Sequence, residues 1–211
     1  AHLVTVVPAT AKDADDGGKT LAEAGKSGFS LLAPAAAYVK ADGSSVTGAV
    51  ISPLTTLVSH EMISGNNNLD TSEKYVRERL SLAVNTDLRQ DFVAKKDAAL
   101  TEKAQMLAVA IGGVKAAALA DTVSKATDKD ALLAALTYLQ TEAANLQAEY
   151  AKAKQTNSTA KPVELVKAAL KTDAAKPVTA SLVAEAKKIS NSTLASSVVA
   201  IIEQGFYSAD H

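Results

Sequence analysis

Asp13, Asp15 and Asp16 stand close together in the run Lys12-Asp13-Ala14-Asp15-Asp16-Gly17-Gly18. Carboxylates at alternate positions followed by glycine can wrap a hard, oxygen-seeking cation such as Ca2+. A full twelve-residue loop also needs a bidentate Glu at its end, and Leu21-Ala22-Glu23 does not place one there. A solvated acidic turn is the competing reading, so these three residues make at most a weak Ca2+ site and no other cofactor is expected. Of the three histidines, His2 and His211 lie at the ends of the sequence and His60 lies in Ser59-His60-Glu61-Met62. An imidazole there could ligate a metal or haem iron with Met62 as a soft second ligand. Positions i and i+2 of a helix point to different sides, however, and one imidazole is too few for zinc. No GxSxG, HExxH, GxxxxGK[ST] or GxGxxG spacing occurs, and each of those chemistries needs its residues at that spacing. Paired carboxylates for glycoside work usually sit among aromatics that stack on sugar rings, and aromatics are only 4% of this sequence. The expectation is a protein that is not an enzyme, with no catalytic residues to name.

Composition narrows the partners. Lys+Arg 22 against Asp+Glu 23 give a formal net charge of −1, which offers no electrostatic case for nucleic acid. Cysteine is absent, which removes disulfides, thiol catalysis and thiolate metal sites. Hydrophobic residues are 47%, but Trp is absent and alanine dominates. Each Ala buries roughly one methyl at ~25 cal/mol per Å². Helices in such a core must approach closely, with Leu and Val as fillers and few large pockets. The apolar run Met106–Ala120 reads as a buried helix rather than a membrane span, which needs ~20 apolar residues. An N-terminal Ala without Met is expected of a processed chain or an excised fragment. Asn157-Ser158-Thr159 and Asn191-Ser192-Thr193 fit the glycosylation sequon, a pattern that also arises by chance.

The elements follow from periodicity. Leu3–Val7 reads as a β-branched strand, Pro8–Ser27 as a polar loop, and Gly28–Ala33, Ala35–Lys40 and Val46–Ile51 as further short strands. Asp42-Gly43 is a hairpin-type turn signal. At Ser52 the pattern changes: Ser52 suits an N-cap and Pro53 the first helical position, Leu54, Leu57, Val58 and Ile63 recur at helical spacing, and Gly65 suits a left-handed stop. Asp70 with Glu73 predicts a capping box for the next helix, with Tyr75, Val76, Leu80 and Leu82 inward. Thr86 or Asp87 predicts a helix through Leu88, Phe92 and Val93, and Ala98–Ser124 a long one in which Gly112-Gly113 marks close packing or a kink. Thr127 with Asp130 opens a helix whose Leu132, Leu136, Leu139, Ala143, Leu146 and Tyr150 form an a/d seam, best used inside a bundle. Two shorter helices begin at Ala160-Lys161-Pro162 and Ala175-Lys176-Pro177, and Thr193–Gln204 reads as a last helix before Gly205. The fold class is therefore α+β, mostly α: a small N-terminal sheet of three to four short strands (residues 1–52) packed on an Ala-rich helical bundle (residues 53–211) as one compact unit.

Two segments, Pro8-Ala9-Thr10-Ala11 with Asp13 and Asp15, and Ala33-Pro34 followed by Ser52-Pro53-Leu54-Thr55-Thr56-Leu57-Val58, resemble a pattern in large bacterial exported proteins and surface lipoproteins. There the pattern follows β-sandwich modules of the carboxypeptidase-regulatory or Sdr-B type. The stretch Asp91–Leu100 looks similar as well, so the resemblance covers about the first hundred residues. It implies an extracellular or cell-surface, bacterial location and transfers no catalytic residue.

A strand at the N-terminal end of so small a sheet exposes N–H and C=O groups that another chain can satisfy. Repeated head to tail, that contact does not close and builds a filament. Leu3, Val4, Thr5, Val6 and Val7 are thus the expected assembly residues. The expected role is a surface structural or adhesive subunit working by strand complementation, with other copies of itself or neighbouring surface domains as partners, no nucleic acid and no membrane span. A surface ligand-binding module for a small molecule or glycan, or an inert spacer domain of a larger lipoprotein, is the alternative.

Overall fold

The computed structural model describes residues 2–7, 10–12, 18–20, 23, 29–38, 44, 49–177 and 179–190. Two strands, β1 (His2–Val7) and β2 (Phe29–Pro34), pair antiparallel with Val4 opposite Leu32 and His2 opposite Pro34. Six helices follow among the described residues: α1 (Pro53–Ser64), α2 (Leu69–Arg79), α3 (Ala98–Ala120), α4 (Asp128–Thr156), α5 (Pro162–Ala169) and α6 (Thr179–Ser190). The α+β, mostly α class holds in this coarse form.

α4 is the spine. The helix opens at Thr127 as expected, where Thr127 and Asp130 form a capping box, and it packs against each of the other five helices among the described residues. Leu132, Leu136, Leu139, Ala143, Leu146 and Tyr150 are all buried, so the a/d seam faces the protein's own helices. α3 lies along it with Leu100, Ala104, Leu107, Ile111, Val114 and Ala118 inward. Ala98–Ala120 is by length and composition long and apolar enough to cross a bilayer, and here one face of it is core. The helix runs unbroken through Gly112-Gly113; a Cβ on Gly113 would meet Leu170 Cδ1 at 3.0 Å, so this glycine lets the end of α5 come close. α1 differs from both. Every residue from Leu54 to Glu61 is buried, because β2, α2, α3 and α4 surround it. A helix enclosed on all sides has no polar face to give to water, so its Thr, Ser, His and Glu must find partners inside.

Several expectations are corrected. The sheet has two strands among the described residues, not three to four. Ala35–Ala37 is a 3-10 turn rather than a strand: Pro34 ends β2, and the Tyr38 N–H closes back on Ala35 O at 2.9 Å. Ala49–Ile51 is irregular, and the Val50 carbonyl accepts from the Tyr38 hydroxyl at 2.6 Å; the rest of that predicted strand, and Asp42-Gly43, lie outside the described residues. Gly65 is right-handed (φ −92°) and Asn66 takes the left-handed position (φ 51°). A Cβ on Gly65 would sit 2.3 Å from Asn67 Nδ2, so a larger residue there would turn the Asn67 side chain aside. Asn68, not Asp70, caps α2, accepting from the Thr71 N–H at 2.9 Å, and Tyr75 is partly exposed. No helix forms between α2 and α3. Asp87 and Asp91 accept from the N–H groups of Arg89 and Ala94, both at 2.9 Å, and such local bonds compete with helical ones. Leu88 and Phe92 are nevertheless buried, while Val93 is exposed. The predicted last helix, Thr193–Gln204, lies outside the described residues.

Candidate functional site

The first place where polar groups converge is the start of α1. The Leu32 N–H donates to Thr56 Oγ1 at 2.8 Å, and Thr55 Oγ1 donates to Leu32 O at 2.8 Å. Each hydroxyl also bonds within its own turn. Thr55 Oγ1 accepts from the Ser52 N–H at 2.8 Å, and Thr56 Oγ1 donates to Ser52 O at 2.8 Å. Two threonine side chains thus do for β2 what a neighbouring strand would do. In an antiparallel pair a residue turns both backbone groups either toward its partner strand or away from it. Leu32 turns both toward α1, so Val4, opposite it, turns both away from β2. The same alternation puts Pro34 on the α1 side, where its missing N–H leaves no ladder bond unmade. The far edge of β2 is therefore occupied at Leu32 and offers no donor at Pro34. The outer edge of β1, at His2, Val4 and Val6, meets no strand among the described residues.

A second tie holds this corner. Glu73 of α2, nearly fully buried, pairs with Arg89 (Nε to Oε1, 3.0 Å) and with Arg77 (Nη1 to Oε2, 3.3 Å). Arg89 Nη1 also donates to Ala37 O at 3.5 Å, just past the end of β2.

Deeper in, α1, α2 and α4 share a buried polar cluster. The Arg79 guanidinium is ion-paired with Glu61. Gln140 Nε2 donates to Glu61 Oε1 at 2.6 Å and to Ser64 Oγ at 2.7 Å, and Gln147 Nε2 donates to Arg79 O at 2.8 Å. His60 is fully buried beside them, with Nε2 3.4 Å from Thr137 Oγ1. Burial, the largest cause, pushes the imidazole down to about 4; Gln140 partly offsets this, and the Arg79 charge acts in the same direction as burial.

The third feature is a shallow groove of about 280 Å³ between α3 and α4, with Met106 and Ala99 among its apolar lining. Its polar groups satisfy one another: Glu102 accepts from Lys154 Nζ at 2.5 Å and from the Tyr150 hydroxyl at 2.9 Å, and Lys103 bonds to Gln147. Lys154 holds the Glu102 carboxyl below its usual value, and burial raises the Tyr150 phenol.

The residues singled out in the sequence fall as follows. Asp13, Asp15 and Asp16 lie outside the described residues. Glu23 accepts from the Thr20 N–H at 2.7 Å and the Thr20 hydroxyl at 2.9 Å, a local turn. His60 meets Thr137 rather than Met62, and no group of three His, Cys, Asp or Glu suited to a metal occurs among the described residues. Leu3–Val7 form most of β1. No motif spacing marks Thr55, Thr56, Glu61, Arg79 or Gln140 as a site residue. The available signal was a run of polar residues, Thr55, Thr56, Ser59, His60 and Glu61, inside a helix with no polar face. Comparison of the chain with protein families, curated proteins and solved structures finds no match.

Proposed function

We propose that this chain is a structural or adhesive subunit of a bacterial extracellular, cell-surface assembly, joined to its neighbours by strand addition at β1. The observation that carries the proposal is the asymmetry of the sheet. Thr55 and Thr56 take up both backbone groups of Leu32 and Pro34 offers no N–H on that edge, while the backbone groups of Val4 point away from β2. An incoming strand gains main-chain hydrogen bonds at such an edge. Copies adding head to tail extend without closing, which gives a filament. The helices packed closely around α4 suit a building block.

Substituting Val4→Pro tests this. Proline removes the outward N–H and obstructs an incoming strand, yet leaves the β1–β2 bonds at Leu3 and Thr5 in place. The unaltered chain is expected to form fibres under negative stain, and Val4→Pro to stay monomeric with an unchanged circular dichroism spectrum. Fibres from Val4→Pro, or a monomer at every concentration of the unaltered chain, would overturn the proposal. The α3–α4 groove favours a second reading, a surface ligand-binding module. That reading requires purified protein to carry or take up a small molecule or glycan beside Met106 and Tyr150.

A further inference from the structure

His60 sits in the helix that holds β2, and its chemistry is set by its neighbours. The Thr137 hydroxyl already donates to Leu133 O at 2.8 Å, so toward His60 it accepts. Nε2 therefore carries the imidazole proton and Nδ1 the lone pair. Nδ1 is buried and has no hydrogen-bond partner among the described residues. A second proton must bind there, and among the described residues only the neutral Gln140 amide favours it, by less than burial opposes it.

Among the described residues no charge close by favours that proton. Arg79 of α2 opposes it. Glu61, next in α1, is paired with Arg79 and Gln140. α4 presents Thr137 and Gln140, both neutral. In α3, Glu102, Lys103 and Lys115 are engaged with Tyr150 and Lys154, with Gln147, and with Asp128. β2 holds no ionisable side chain. A buried cation beside a guanidinium is strongly unfavourable, and water reaches it only if α1 moves.

We propose that His60 is an acid-sensitive latch: its protonation at Nδ1 loosens α1 from α2 and α4 and so releases the threonine clamp on β2. The latch is a property of the single chain. Its regulation of assembly rests on the strand-addition reading, because the clamp at Leu32 is what distinguishes the two edges of the sheet among the described residues. A histidine held neutral in the closed form takes its proton at ordinary pH in the open form. Between pH 8 and pH 5 the open population is expected to rise on the order of 30-fold.

Hydrogen–deuterium exchange of α1 and β2 amides on dilute protein, corrected for intrinsic rates, reads this directly in the native chain and in His60→Gln. The expected result is a rise of that order in the native chain at pH 5 and a flat response in His60→Gln. A flat native chain, or an equal rise in the variant, would overturn the latch. Should His60→Gln not fold, an NMR titration of the native imidazole decides. Titration only below about pH 5 supports the latch; titration near 6.5 in the closed protein overturns it. Fibre formation is scored separately. Opening of α1 without fibres at any pH keeps the latch and removes the assembly reading.

Discussion

At the scale of single residues, the polar groups inside α1 are held by reciprocal bonds, and each bond predicts its own loss. Thr56→Val keeps the shape and removes the acceptor for the Leu32 N–H. The expected cost is about 1–3 kcal/mol in urea unfolding, the penalty of one buried unsatisfied donor. Arg79→Met leaves the Glu61 carboxylate buried beside Gln140 alone, and about 3–5 kcal/mol should be lost. The double variant Glu61→Gln, Arg79→Met should recover much of that, since neither charge then remains, and a double-mutant cycle on urea midpoints measures the recovery. These roles were hard to read from sequence. Ser52 and Pro53 declared themselves because capping is local. Thr55 and Thr56 did not, because their partner Leu32 is more than twenty positions away.

At the scale of elements, local signals and long-range packing divide the outcome. The seam of α4 was legible because a heptad of leucines has one economical use, and the Thr127–Asp130 box marked its start. Leu139→Ala removes a fully buried side chain from that seam and should cost about 2–5 kcal/mol by thermal or denaturant unfolding. Val123→Ala, at an 83% exposed position outside any helix, should fall within about 0.5 kcal/mol in the same assay. The segment from Ser81 to Asp97 misled for the opposite reason. Its apolar spacing suits a helix, and Leu88 and Phe92 do reach the core. Left-handed Ser81 and Lys96, with the aspartate turns between them, let irregular backbone deliver the same two side chains. Apolar spacing reports which residues go inward, not the backbone that takes them there.

At the scale of the whole molecule, stability is expected to depend on pH through the buried imidazole. The folded chain holds His60 down at about 4, below its ordinary 6.5, so the unfolded chain takes the proton first as pH falls. The stabilisation is complete above about pH 6.5 and is lost progressively toward pH 4, with a total of up to about 3 kcal/mol. Melting temperatures should thus be level from pH 8 to 7 and decline below, and His60→Gln should remove most of the decline between pH 6.5 and 5. The same scale shows why composition was a fair guide to architecture. With few aromatics and no cysteine, cohesion falls to helices in close contact around α4, and the sheet survives by leaning on α1.

The pairing of His2 with Pro34 has a mechanical consequence. Both residues stand at the same end of the ladder, where β2 leaves for the helices. Tension applied at His2 against the body would therefore peel the hairpin open one rung after another, at low force. Tension carried by a strand laid along β1 would instead load its rungs sideways and together. The molecule would yield readily to a tug on its leading end and resist one transmitted along its flank.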